Sequence, residues 1–157
     1  MQPIIPCLWF DKQAEQAVKF YTSVFKNSSI EKTSYYRDAG PGQPGNVMTI
    51  IFRINGQEYM ALNGGPEYKF TPAISLYVNC ENQEEVDYYW EKLSEGGEKG
   101  PCGWLTDQYG VSWQIVPSIL GELLTDKDSV KANRVMQAML QMGKLDIAVL
   151  KRAYEQS

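Results

Sequence analysis

The chain has 157 residues, 43% of them hydrophobic and 22% charged, with a net charge of −4, enough for one ordinary domain with its own core. The acidic balance and the lack of any basic run argue against nucleic acid and anionic membranes as partners, and no apolar run reaches bilayer-spanning length. Histidine is absent, which excludes a His-containing triad, a His general base and a His-ligated metal.

Cys7, Cys80 and Cys102 form an odd set without CxxC spacing, and the N-terminal Met-Gln-Pro-Ile-Ile-Pro carries no charged n-region. Both features point to a cytoplasmic location. Residues 4–10 read as a strand, with Pro6 marking an edge or a bulge. Asp11 is the expected N-cap of a helix that buries Ala14, Ala17, Val18, Tyr21, Val24 and Phe25 along one face. Residues 28–37 read as a strand and 38–46 as a loop. Within that loop Gly40-Pro41-Gly42-Gln43-Pro44-Gly45 matches GxGxxG, but a strand follows it and Pro44 lacks an amide donor. It is therefore a hairpin loop and a candidate lid, not a phosphate cradle. Residues 47–54 and 57–62 form a hairpin about Asn55-Gly56.

The pattern then begins again. Residues 73–78 read as a strand, Asn82 and Glu85 have capping-box spacing, and Val86, Tyr89, Trp90 and Leu93 follow at helical intervals. Gly96-Gly97 ends that helix. Residues 102–117 form two strands about Asp107-Gln108-Tyr109-Gly110, with Asp107 bonding its own backbone and Val111, Trp113 and Ile115 alternating beyond it. An offset of 68 residues pairs Leu8 with Leu76, Val18 with Val86 and Tyr21 with Tyr89, while the closing hairpins pair Gly56 with Gly110. The expected architecture is α+β, with tandem βαβββ modules at 1–65 and 70–117 in one domain, 1–117. A helical extension, 118–157, carries Val130, Val135, Met136, Met139, Leu145, Ile147, Ala148 and Leu150. Its apolar faces need cover from the main domain or a second subunit.

Tandem βαβββ units ending in Asp107-x-x-Gly110-x-x-x-Gln114 resemble the vicinal oxygen chelate superfamily, which includes glyoxalase I, extradiol dioxygenases and the fosfomycin and bleomycin resistance proteins. Residues 6–11 (PCLWFD), Phe20-Tyr21-x-x-x-Phe25, Ser75-Leu76-Tyr77-Val78, Gly103-Trp104, Trp113-Gln114 and the tail Met139-x-x-Met142-x-Lys144-x-Asp146-Ile147 are similar to its PhnB-like branch. That branch is labelled 3-demethylubiquinone-9 3-methyltransferase-like. The resemblance implies a glyoxalase-like bowl and a homodimer. It also places the superfamily's metal ligands near Ile5, Met60, Ala73 and Gln114. Ile, Met and Ala offer a hard or borderline cation no oxygen or nitrogen, and Gln114 offers only a neutral carbonyl where the superfamily carries Glu. No metal and no cofactor are expected. Nothing in the chain looks like an S-adenosylmethionine-binding Rossmann half.

Strand alternation puts Cys7, Trp9, Ser75, Tyr77 and Gln114 on the face away from the helices, with Arg53, Met60 and Trp104 as further candidates for the lining of a ligand cavity. Taken singly, Trp9 and Tyr77 read slightly better as core or dimer-interface aromatics, whereas the set taken together reads better as a pocket lining. Arg37, Arg53 and Lys69 are candidates for an anion clamp. Cys7 and Cys102 have no imidazole to make a thiolate, and Asp107 is better explained as a turn residue than as a base. No catalytic group is identified. The expected function is binding of a small organic ligand. One alternative is a superfamily enzyme (methyltransferase-like, isomerase, lyase or transferase) with no metal or an unusual one, such as one displaced onto Glu58. Another is a dimeric scaffold whose aromatics fill its own cavity.

Overall fold

The computed structural model describes residues 2–156, and the chain divides after Phe70 into two compact units. The first contains β1 (Cys7–Phe10), α1 (Ala14–Val24), β2 (Ser28–Tyr35), β3 (Val47–Ile54) and β4 (Gln57–Asn63). Its sheet runs β1-β4-β3-β2, with β1 parallel to β4 and the other pairs antiparallel. The second contains β5 (Ser75–Cys80), α2 (Gln83–Ser94), β6 (Glu98–Lys99), β7 (Trp104–Thr106) and β8 (Ser112–Pro117). Its sheet runs β5-β8-β7-β6, again with the first and last strands parallel. The tandem βαβββ plan is thus realised twice. Among the described residues no helix is long and apolar enough to cross a membrane.

In the first unit α1 packs on β3 and β4. It buries Ala14, Ala17, Val18, Tyr21 and Val24 over a sheet face that buries Leu8, Phe10, Ile50, Phe52 and Ala61. The Tyr21 ring stacks on Phe52 at a centroid distance of 6.4 Å. In the second unit α2 lies on β7 and β8, burying Val86, Trp90 and Leu93 where Leu105, Trp113 and Ile115 are also buried. Each buried Leu, Val or Phe of this kind contributes about 1.5–3 kcal/mol. Asn55 and Gly56, with φ of 49° and 80°, form the left-handed pair that a tight two-residue hairpin requires.

Two local expectations are corrected. Asp11 does not cap α1: the N-cap position is Gln13, without a side-chain bond. The free amide of Ala14 instead donates to Asn63 Oδ1 at 2.9 Å, across from the end of β4. The repeat offset is also not a uniform 68. Cys7 pairs with Met60, and Tyr77 pairs with Gln114. With the two hairpins equivalent, 54 residues apart (Met60 and Gln114), the first strands are related by 70 residues (Cys7 and Tyr77). Helix burial matches at 69, with Ala17, Tyr21 and Val24 answering to Val86, Trp90 and Leu93. The connection from strand to helix holds three residues in the first unit and two in the second (11–13 and 81–82). That difference produces the slip from 70 to 69.

The extension forms α3 (Ile119–Leu124), α4 (Ser129–Met139) and α5 (Ile147–Glu155) and belongs to the second unit. Its apolar faces are covered there. Leu120, Leu123, Val135, Leu145 and Leu150 form one buried cluster with Val116 of β8, flanked by Met139, Met142 and Tyr154. Asp128 caps α4 through the amides of Val130 and Lys131, satisfying donors that a helix start leaves open. Arg134 binds α5 from its far end, donating to the carbonyls of Ala153 and Tyr154 at 2.9 Å each.

Candidate functional site

The eight residues singled out from the sequence fall four to a unit, and in each unit the four share the sheet face that the helix leaves uncovered. In the first unit the register sets Cys7 beside Met60 and Met60 beside Ile51, with Trp9 and Arg53 two positions away on the same pleat. In the second unit Gln114 lies between Tyr77 and Trp104, and Ser75 is two positions from Tyr77.

The face in the second unit is neutral around Gln114, with Glu98 standing opposite Thr106 at its β6 edge. Gln114 Nε2 donates to Ser75 Oγ at 3.0 Å, joining two half-buried side chains into one neutral donor–acceptor pair. Tyr77 remains 53% exposed beside them. Burial first, and then Cys80, raises its hydroxyl pKa, so it acts as a neutral hydrogen-bonding group. Trp104, Thr106 and Ser112 contribute to a cleft of about 390 Å³ with Pro72, Pro101 and Leu105, and Glu98 and Lys99 also reach it. That volume is within the range that holds small organic ligands. Lys99 is paired with Glu91 at 3.1 Å. The cleft takes in Trp104 but not Gln114, Ser75 or Tyr77.

In the first unit the candidates are more tightly tied. Trp9 donates its indole N–H to the Gly65 carbonyl at 2.9 Å and meets Tyr68 edge-on at 5.0 Å. A Cβ on Gly64 would come within 2.4 Å of Trp9 Cε2, so the ring is wedged against the end of β4. Arg53 is held by Glu58 at 2.9 Å and Glu31 at 3.6 Å and also donates to the Gly56 carbonyl. Its guanidinium is therefore occupied and makes a poor anion clamp. Glu58, 7% exposed, also accepts from the Gln2 amide at 3.1 Å.

The positions that the resemblance assigns to metal ligands can be compared with the strand register. At the 70-residue offset of the first strands Ile5 answers to Ser75 rather than to Ala73, and Met60 answers to Gln114. Ile5 and Met60 provide no oxygen or nitrogen donor, while Ser75 and Gln114 are neutral and bonded to each other. Glu58, the ligand to which a metal could be displaced, is paired with Arg53 at 2.9 Å. Among the described residues no three His, Cys, Asp or Glu side chains stand together to hold a metal ion. The donor set does not fit the cation.

Nucleophilic groups fare no better. Burial, and then the charge of Glu85, pushes the Cys80 thiol up to about 12, and burial raises that of Cys7. Both are thiols rather than thiolates at neutral pH. Asp107, 3% exposed, accepts from the amides of Tyr109 and Val111 through Oδ1 and from the Trp113 indole N–H through Oδ2. It is committed to the turn.

The sequence did not reveal a second cleft, of about 410 Å³, between the start of α1 and the 36–46 loop. It is lined by Asp11, Lys12, Glu15, Tyr36, Gln43 and Asn63, among others, and includes none of the eight candidates. The Gly-rich loop closes on its own base: Gly45 N donates to the Tyr36 carbonyl at 3.0 Å, and a Cβ on Gly42 would stand 2.4 Å from the Tyr36 ring. The loop expected as a candidate lid thus lines this cleft, which holds none of the eight candidates.

A family model described as 3-demethylubiquinone-9 3-methyltransferase matches residues 2–116. The PhnB protein of Bacillus cereus is 41% identical over 74% of this chain and 100% of its own, with a TM-score of 0.67. A Pseudomonas aeruginosa protein is 20% identical over 74% of this chain and 98% of its own, with a TM-score of 0.62. A fosfomycin resistance protein from Listeria monocytogenes is 16% identical over 78% and 97%, with a TM-score of 0.54. The last two are similar in fold alone. No curated protein is significantly similar to the chain. The family match over most of the chain, the identity to a PhnB protein and the repeated βαβββ topology together make this chain a member of the 3-demethylubiquinone-9 3-methyltransferase family, on the PhnB-like branch of the vicinal oxygen chelate fold.

Proposed function

We propose that the protein binds an uncharged, flat organic molecule on the helix-free face of the second sheet, without the superfamily's metal. The observation that supports this reading is the Ser75–Gln114 hydrogen bond at 3.0 Å, a neutral amide–hydroxyl pair in the region that the resemblance assigns to cation ligands. Tyr77 and Trp104 supply apolar ring faces on either side of Gln114. Gln114, Ser75, Thr106 and Ser112 offer hydrogen bonds to carbonyl or hydroxyl groups. An anionic ligand such as a phosphonate would meet as counter-charge only Lys99, which is already paired with Glu91 and neighboured by Glu98, and is expected to gain little there. In the first unit Cys7, Trp9 and Met60 share the corresponding face with the Arg53–Glu58 ion pair, which suits an uncharged ligand less well. A homodimer, formed through the exposed Ile4 and Ile74, is part of the same reading.

The test is a thermal-shift screen of chelator-treated protein. The panel holds divalent metals, S-adenosylmethionine, alkylphosphonates, fosfomycin and uncharged bicyclic carbonyl compounds such as coumarin and 1,4-naphthoquinone. The bicyclic compounds are expected to raise the midpoint, since a ligand of the native state at 100 times its Kd stabilises by about 2.7 kcal/mol. Gln114→Ala should weaken that binding about 3- to 10-fold, the share of one neutral hydrogen bond. A shift with a divalent metal would overturn the metal-free reading. A shift with S-adenosylmethionine would favour group transfer instead.

A further inference from the structure

The helical extension lies beyond the residues that the family model matches, yet it is bonded to the wall of the cleft. Residues 101–104 make a tight turn closed by Trp104 N donating to the Pro101 carbonyl at 3.0 Å. Its two central residues, Cys102 and Gly103, have φ of 57° and 83°. In this conformation their amides point away from the turn, and each is taken by the extension: Cys102 N donates to the Met142 carbonyl and Gly103 N to the Gly143 carbonyl, both at 2.8 Å. No side chain intervenes. A Cβ on Gly103 would stand 2.8 Å from the Ile115 carbonyl oxygen and 3.0 Å from Leu145 Cδ1. A left-handed backbone is disfavoured for a non-glycine residue such as Cys102, and the bonds from the extension help to hold it in that conformation.

The same segment is fastened on its other side to α2. Gln83 Nε2 donates to the Leu145 carbonyl at 3.0 Å and its Oε1 accepts from Ile147 N at 2.8 Å. Lys144 pairs with Asp87 at 2.8 Å, and Leu145 is fully buried. The lysine and then Gln83 hold the Asp87 carboxyl below its ordinary range.

We propose that residues 142–147 are a strap that positions Trp104, so that docking of the C-terminal helices and occupancy of the cleft are coupled. Gln83 and Lys144 are its positioning residues. The coupling rests on the reading that Trp104 touches the ligand; the strap itself does not. By reciprocity, a ligand that fixes Trp104 tightens the extension, and release of the extension weakens the ligand by the same factor.

Two measurements on the full chain test this. In native-state hydrogen exchange the amides of Cys102 and Gly103 are expected to open together with those of α5. Exchange in step with the β7–β8 ladder, independent of α5, would overturn the strap. In ¹⁵N-indole spectra the Gln83→Ala/Lys144→Ala protein should move or broaden the Trp104 signal while leaving Trp9 unchanged, and Lys144→Arg alone should preserve it. A Trp104 signal identical to wild type would also overturn the strap. Coumarin affinity in the double variant, read against wild type, is expected to fall about tenfold. An unchanged affinity with a displaced Trp104 would overturn the coupling through the cleft reading and leave the strap standing.

Discussion

Asp107 has three donors converging on one buried carboxylate, and hydrogen bonds to a charged group contribute about 1.5–3 kcal/mol apiece. Asp107→Ala should therefore destabilise the protein by about 3 kcal/mol or more, because two backbone amides and an indole lose their acceptor together. Asp107→Asn is the sharper test. Its oxygen can keep the amides of Tyr109 and Val111, but its NH₂ then meets the Trp113 N–H, donor against donor. A loss of about 1–3 kcal/mol is expected in urea unfolding, and an Asn variant as stable as wild type would contradict this account. The role of Asp107 was legible in the sequence because its partners lie within six residues. Trp9 was not legible in the same way. Its indole acceptor is Gly65 and the ring it meets is Tyr68, so alternation placed it on the right face without revealing how firmly it is held. Gln114 was singled out by the missing Glu, but its bond to Ser75 depends on a parallel register that periodicity does not report.

At the scale of elements, the two central helices start in different ways. Asn82 caps α2 locally, accepting from Glu85 N at 2.9 Å, while the Glu85 carboxylate returns to the amide of Glu81. The Asn82 half of this capping arrangement was readable from its spacing, while the return bond goes to the amide one residue ahead of the N-cap. For α1 the cap comes from Asn63, which also donates to Glu15 Oε1 at 2.7 Å and to the Val47 carbonyl at 3.1 Å. No rule that looks for Ser, Thr, Asp or Asn just ahead of a helix finds a residue 49 positions downstream. Asn82→Ala should cost about 1 kcal/mol, the usual value of a lost cap. Asn63→Ala should cost distinctly more, because it removes the cap and two further bonds that tie α1, β3 and β4 together. Thermal unfolding of the two variants makes the comparison; equal losses would mean that the Asn63 network adds nothing to the cap.

For the whole molecule, the sequence made the duplication visible but misjudged its register. Strand alternation and hairpin glycines persist through a one-residue difference in a connection, whereas a single global offset does not. It also left open what covers the extension. The cluster of Leu120, Leu123, Val135, Leu145 and Leu150 on Val116 covers it within the second unit. The apolar surface left over includes Ile4 and Ile74, 87% and 77% exposed, which stand at equivalent places in the two repeats at the 70-residue offset. A dimer that buries them should sediment at twice the 17.8 kDa of the chain, and Ile4→Lys/Ile74→Lys should return it to the monomer. A wild-type monomer at micromolar concentration would remove the dimer from the proposal. The cap on α1 has a last consequence, in time rather than in space. A helix whose start is satisfied by its own neighbours can form before the rest of its module. One whose start waits for a strand three elements later cannot be finished until the chain has returned through that strand, and closing so long a loop is slow. The two halves of this duplicated chain therefore share a plan but not a folding schedule. The second can begin at its helix, whereas the first is completed only when β4 arrives.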